Sequence, residues 1–363
     1  MWILLVILGV LVGAAAAVGL YLWLAMRWLM AETGGDRYFG RTLPERRALR
    51  EEIRRRSPPV LRLTSIAAKL GARRIPESEL RGVRVPAIAC PRSALQRAAD
   101  YRPTAEDVFV ATQMKCGTTW LQQVAYEVLL RVEGNLGDDG HRHMYALSPW
   151  IEANSSVSMD DAPLVEGRRI VKTHLPVSLC PYSESARYLY VTRHPVACLA
   201  SCIDFVRMLT GPMTPTTDEF VDWFCSDRMW WRSWPEHVEG WWQWAQERPN
   251  VLFFHYEDML EDLPGAVGQV SDFFETPLTP EQLSTVVHKS GYDYMKANEE
   301  VFEMAPPSFF SLGEGSFFRS GKGDRDRDVG EADRERVLAF CRERLQASAY
   351  PVERFYPDVA SAS

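Results

Sequence analysis

Apolar positions run unbroken over residues 2–26 (WILLVILGVLVGAAAAVGLYLWLAM), and no charged side chain falls among them. A bilayer core of about 30 Å takes roughly 20 residues at the helical rise, so the pattern predicts one membrane-spanning helix. The run exceeds the ~7–15-residue core of a signal peptide, and neither Lys nor Arg precedes it. Gly9 and Gly13 form a GxxxG pair, which reads either as ordinary small residues of a span, the preferred reading, or as a helix-pairing motif. The pattern then turns polar. Residues 45–56 (ERRALREEIRRR) predict a charged helix with Glu–Arg pairs at helical spacing, stopped by Ser57-Pro58-Pro59. Further on, short apolar runs at 107–112, 169–173 and 188–192 predict strands. Leu121, Val124, Val128 and Leu129 share one side of a helix over 118–130. Pro195 opens a second helix over 195–209.

Charge refines this division. The 363 residues include 41 Lys+Arg and 48 Asp+Glu, with 46% hydrophobic residues, which excludes a disordered chain. Residues 27–102 hold 18 basic and 8 acidic side chains and the rest of the chain is acidic, so a nucleic-acid binder is excluded. Arg27, Arg37, Arg41, Arg46, Arg47, Arg50, Arg54, Arg55 and Arg56 all follow the span. The positive-inside rule then places the carboxyl-terminal side in the cytoplasm as a single-pass protein. The basic stretch reads either as a solvated spacer or as a contact with anionic headgroups. Seven cysteines without a CxxC pair suit a reducing compartment. The expected division is an anchor (1–30), a basic juxtamembrane connector (31–84), a main domain (85–357) and a tail (358–363).

Candidate chemistry begins between the first strand and its helix, at Gln113-Met114-Lys115-Cys116-Gly117-Thr118. Unpaired backbone N–H groups and the dipole at a helix amino terminus make an anion cradle. Lys115 adds a charge, and Thr118 and Thr119 add hydroxyls. The loop is not GxxxxGK[ST], which disfavours an ordinary ATPase.

Five ordered segments resemble cytosolic-type sulfotransferases, which take sulfuryl groups from 3′-phosphoadenosine 5′-phosphosulfate (PAPS). MKCGTTW resembles their PKSGTTW loop, RIVKTHLP the strand and turn of their catalytic histidine, and RYLYVTRHPVACLAS their 3′-phosphate strand-loop-helix. WPEHVEGWWQWAQERPNVLFFHYEDM resembles WxxHVxxWW…VLFxxYEDM, and FFRSGKGD resembles FFRKGxxGD. The resemblance covers residues 85–357. It implies an α/β fold, a central parallel β-sheet flanked by helices and related to P-loop nucleotide kinases, beside the transmembrane helix.

The same resemblance implies the site residues. His174 is the candidate base, with Lys115 at the leaving oxygen and Lys172 at the sulfonate. Lys115, Cys116, Gly117, Thr118 and Thr119 cradle the 5′ end of the nucleotide. Arg193 and Ser201 take the 3′-phosphate, with a second contact from Arg319, Ser320 and Gly321. Trp120 and Tyr292 hold adenine, and Tyr256 and Ser290 supply hydroxyls. Sulfuryl transfer resembles phosphoryl transfer in depending on positioning and electrostatics. Lysine, arginine and backbone amides supply the positive charge, so no metal is expected, and the HxH at His141 and His143 lacks further ligands in sequence.

The resemblance has departures. Gln113-Met114 stands for Tyr-Pro and Cys116 for Ser, which raises the question of thiol sensitivity. Ser320 replaces a lysine, GKGD is one residue short, and the KxxxTVxxxE dimer motif is not visible, so a dimer is not predicted. The rival readings are a small-molecule kinase on a related fold and a catalytically silent, membrane-tethered nucleotide-binding protein. The acceptor is a small molecule or lipid, its pocket built from loops near 131–166 and 205–231. Trp223, Trp230 and Trp231 belong either to that lining or to the core.

Overall fold

The computed structural model describes residues 2–33, 36–69, 71, 75–131, 143–154, 157–303, 307–310 and 329–361. Four parallel strands form the central sheet: β3 (Asp107–Ala111), β4 (Arg169–Thr173), β5 (Arg187–Thr192) and β6 (Val251–His255), in the order β4-β3-β5-β6. A small antiparallel hairpin precedes them, β1 (Glu77–Leu80) and β2 (Val83–Pro86). Arg81 and Gly82, both at positive φ, make its two-residue turn.

Every residue of β3 is buried, as expected where helices cover both faces of a parallel sheet. Alternate side chains serve opposite layers. Phe109, Ala111, Val171, Tyr188 and Tyr190 pack with Trp231, Trp234 and Trp241 on one face. Val108, Val110, Ile170, Leu189 and Val191 meet Leu121, Val124 and Val128 of the Thr118–Leu130 helix on the other. Because β3 is flanked by β4 on one side and β5 on the other, the carboxyl ends of three strands converge beside the loop that leaves β3. Open α/β sheets bind their ligands at such points.

The expected strands and both expected helices are present, with helix bounds Thr118–Leu130 and Pro195–Thr210. The apolar amino-terminal stretch forms one helix, Trp2–Thr33, whose large apolar side chains remain mostly exposed. Among the described residues it is one of two helices long and apolar enough to cross a membrane; the other, Pro195–Met213, is partly buried and contributes to the core. Among the described residues nothing packs within 4 Å of the Cβ positions of Gly9 and Gly13.

The basic connector departs from expectation. Its helix does not stop at Ser57-Pro58-Pro59 but runs Leu43–Lys69 with both prolines inside. The prolines remove the amide donors that Arg54 and Arg55 would have used, and both of those residues face solvent. On the opposite side Arg46, Leu49, Ile53, Ser57 and Val60 are buried at three- and four-residue intervals, and the Ser57 hydroxyl donates to the Ile53 carbonyl at 2.7 Å. Burial of that stripe outweighs the local break.

Asp107 locks the start of the sheet. Its carboxylate accepts from Arg169 at 2.9 Å, from the Tyr101 hydroxyl at 2.8 Å and from the Thr104 amide at 2.8 Å, across the β3–β4 register that pairs Asp107 with Arg169. Removing one partner of a buried ion pair strands the other. Asp107→Ala should therefore cost about 3 kcal/mol, read as a lower thermal unfolding midpoint with unchanged helix content before the transition.

Candidate active site

The loop from β3 into the Thr118–Leu130 helix turns on two left-handed residues, Lys115 (φ 67°) and Gly117 (φ 113°). A Cβ on Gly117 would meet the Tyr256 ring at 2.9 Å, so conformation and close packing both require glycine there. Thr118 Oγ1 lies 2.6 Å from Thr112 Oγ1, closing the loop across its base.

His174 follows the last residue of β4 and is 2% exposed. Its Nδ1 donates to the Thr112 carbonyl at 2.9 Å. Burial, then the charge of Lys172, holds its pKa well below the usual imidazole range, with Lys115 adding in the same direction. A neutral ring with its proton on Nδ1 carries its lone pair on Nε2. Glu152 braces the backbone beneath: it accepts the His174 amide at 2.7 Å and the Thr173 hydroxyl at 3.0 Å. His237 Nε2 donates to the His174 carbonyl at 3.0 Å. Trp150 stands edge-on to the imidazole at 5.4 Å and Trp231 lies at 5.0 Å.

Lys172, two residues earlier on β4, is 1% exposed and lies on the same Trp150, with Nζ 3.8 Å from the ring centroid. It donates to the Tyr145 hydroxyl at 3.1 Å. Burial lowers its pKa to about 7 against the opposing pull of Glu152. Lys115 Nζ sits 4.6 Å over the ring of Phe205, on the Pro195–Thr210 helix. Ser201 precedes Phe205 by four residues and so shares its side of that helix.

A second string of residues leads away from the loop. The Arg193 guanidinium, at the carboxyl end of β5, lies 4.5 Å over the Tyr256 ring. Tyr256 meets Trp120 edge-on at 5.0 Å, and Trp120 Nε1 donates to the Ser290 carbonyl at 2.8 Å. Tyr292 opens the helix just beyond, Tyr292–Ala297. Along this string Arg193 Nε, Ser290 Oγ and neighbouring Thr192 Oγ1 are buried with no partner among the described residues. Buried polar atoms left in this way fit a polar ligand carrying acceptor oxygens.

Lys115, Thr118, Lys172 and His174 thus form one group, and Arg193, Tyr256, Trp120 and Ser290 another, joined at Gly117. Arg319, Ser320 and Gly321 lie outside the described residues, as does His141. His143 is enclosed by Phe39 and Tyr145, and its Nδ1 accepts the Tyr145 amide at 3.1 Å. Among the described residues no group of three or more His, Cys, Asp or Glu could hold a metal ion.

The thiol question at Cys116 resolves through burial. Its Sγ points into the core, 3.6 Å from Cys198 Sγ, and its pKa is pushed up by burial, so the thiolate needed for reactivity is suppressed. Only its backbone can face a ligand. Sequence reasoning missed Glu152, Tyr145 and Gln113. The Gln113 carboxamide donates to the carbonyls of Trp230 at 3.1 Å and Arg232 at 2.6 Å, and its oxygen accepts the Met114 amide. A lone acid within SPWIEA was the one available signal for Glu152.

Residues 105–349 match the family model described as the sulfotransferase domain. Sulfotransferase 2B1 of Mus musculus is 30% identical over 259 residues, covering 69% of this chain and 73% of that protein. The 3-alpha-hydroxysteroid sulfotransferase of Cavia porcellus is 28% identical over 283 residues, covering 76% and 95%. Among solved structures, a mouse sulfotransferase complexed with PAP shares the fold with a TM-score of 0.60 at 21% identity, over 78% of this chain and 98% of that one. The chain belongs to the sulfotransferase family. More particularly, it is a PAPS-dependent sulfotransferase.

Four buried histidines give the fold a shared acid sensitivity. Burial holds His143 and His174 well below their ordinary value of 6.5, His237 at about 4 and His255 at about 3. Below pH 6.5 the unfolded chain binds protons that the folded chain refuses, so stability falls as pH falls. The thermal midpoint should drop between pH 7 and pH 5, and His237→Gln should flatten that slope. An unchanged slope in the variant would remove His237 from the account.

Proposed function

We propose that this sulfotransferase moves the sulfuryl group of PAPS onto an acceptor hydroxyl or amine, with His174 as general base. The observation that carries the reading is the neutral imidazole fixed through Nδ1 on the Thr112 carbonyl. Its Nε2 lone pair is the basic atom of the group that holds Lys115 and Lys172. A general base must be unprotonated near neutral pH and be held in one orientation, and this ring meets both needs.

The donor supplies an activated sulfonate on a good leaving group. Backbone N–H groups of Lys115–Thr118 and the two threonine hydroxyls would hold its 5′ end at the helix amino terminus. Lys115 would stabilise the negative charge that grows on the leaving oxygen, a role in which a preorganised cation in a dry site is most effective. Lys172, with its pKa near 7, would gain full charge beside a sulfonate. Arg193 offers an unpartnered buried Nε for the 3′-phosphate, with Ser201 on the neighbouring helix. Trp120, Tyr256, Ser290 and Tyr292 would enclose the adenosine; Arg319, Ser320 and Gly321 remain candidates for the second 3′-phosphate contact.

The acceptor side is aromatic. Trp150 and Trp231 flank His174, and adjacent Trp230 lines a cavity of about 450 Å³ whose wall combines Trp223, Phe220 and Val206 with the charged Glu77, Arg84, Glu219 and Arg228. A cavity of that size suits a small acceptor with both an apolar body and polar groups. The uncharged stretch 2–26 of the first helix, followed by nine arginines from Arg27 to Arg56, supports a single-pass anchor with the catalytic domain on the cytoplasmic side, which favours acceptors that partition into the bilayer.

Two measurements test the assignment. His174→Ala should lower turnover about 10²–10⁴-fold in a labelled-sulfate transfer assay while PAP affinity barely changes. Parallel loss of binding would mean a collapsed site, and retained turnover would remove the base. Arg193→Ala should weaken PAP far more than adenosine 5′-phosphosulfate, which lacks the 3′-phosphate, in isothermal titration. Equal weakening would sink its role.

A further inference from the structure

The basic segment between the apolar helix and the β1–β2 hairpin is packed against the catalytic group. Phe39, 3% exposed, lies 4.5 Å from the His143 ring and 5.4 Å from the Tyr145 ring. Tyr145 is the residue whose hydroxyl receives Lys172 Nζ and lies 3.4 Å from Thr119 Oγ1. Phe39, Leu49, Ile53, Val60 and Tyr145 form one apolar cluster, so the back of Tyr145 rests on residues that precede the hairpin.

The Leu43–Lys69 helix makes a second attachment, at the nucleotide side. Arg46 is 1% exposed and donates to the Glu300 carbonyl at 3.2 Å and to the Arg41 carbonyl at 3.1 Å. Arg47 pairs with the Glu300 carboxylate at 2.6 Å. Arg50 pairs with the Glu303 carboxylate and donates twice to the Tyr38 hydroxyl, at 2.8 and 2.9 Å. Glu300 and Glu303 lie just past the Tyr292–Ala297 helix, whose start follows Ser290. A solvated spacer would have no reason to bury a guanidinium and match it to carbonyl and carboxylate acceptors.

We propose that the juxtamembrane segment, residues 36–60, is a positioning element of the sulfotransferase centre: it seats Tyr145 against Lys172 and Thr119 and holds the Ser290–Glu303 stretch against the nucleotide. The inference rests on the placing of PAPS given under Proposed function. The element acts only through Tyr145 and residues 290–303 and touches no reacting atom. Membrane attachment and nucleotide binding then share one rigid piece of chain.

The test uses the full-length chain in lipid nanodiscs with Arg50→Glu, Glu303→Arg and the double exchange. PAP affinity is read by titration, and KM and kcat by sulfate transfer. Each single reversal should raise the PAP Kd and the KM for PAPS about tenfold, with a smaller change in kcat and in the KM for acceptor. The double exchange should recover most of the loss, which general destabilisation would not do. Arg50→Lys keeps the charge but loses the two-pronged grip on Tyr38 and should fall between wild type and Arg50→Glu; it serves if the reversal unfolds the chain. Single variants that bind PAP like wild type, or an exchange without recovery, would overturn the positioning role. A wild-type chain that fails to take PAP would instead overturn the nucleotide reading beneath it.

Discussion

One hydrogen bond, from His174 Nδ1 to the Thr112 carbonyl, joins the end of β4 to the loop leaving β3. It selects the tautomer, and the tautomer decides which nitrogen can accept a proton. The bond is possible because β3 and β4 pair in parallel, in a register that sets Ala111 opposite Thr173 and brings both carboxyl ends level. The Asp107–Arg169 pair at the other end of the same two strands secures that register. The orientation of the His174 ring therefore depends on strand alignment.

Around that bond the protein spends burial on charge. Lys172, Glu152 and His174 all sit in the interior, and each is shifted toward its neutral form, Lys172 and His174 downward and Glu152 upward. Such a group would be poorly stable without its hydrogen bonds, and every member has them: Tyr145 for Lys172, the His174 amide and Thr173 hydroxyl for Glu152, Thr112 for His174. The string from Arg193 to Ser290 is different, with Arg193 Nε and Ser290 Oγ left unpaired among the described residues. One half is internally satisfied and preorganised. The other is open to a ligand.

Much of this was legible in the chain. The strands were short apolar runs bounded by turn residues, and the helix after the phosphate loop had a clear apolar side. His174 stood out through KTHLP and Arg193 through its place at a strand end. What sequence could not show were contacts between distant residues: Gln113 with Trp230 and Arg232, Tyr145 with Lys172, Glu152 with His174. None of these leaves a periodic trace. The connector helix was misjudged at Pro58 and Pro59 because local propensity was weighed above the buried stripe of Leu49, Ile53 and Val60. The inward turn of Cys116 was hidden for a simpler reason, since loop residues lack a periodicity that assigns them a face.

The Gln113 carboxamide binds the loop after β3 to the wall opposite. Trp231, one of the rings beside His174, is held between the two carbonyls that Gln113 grips, and Trp231 and Arg232 both adopt left-handed backbone there. The loop after β3 and the aromatic wall beside His174 are consequently tied to each other rather than built separately. If donor and acceptor bind as proposed, on either side of this tie, any effect one has on the other through it must be reciprocal. The two substrates would then be coupled through a single amide side chain.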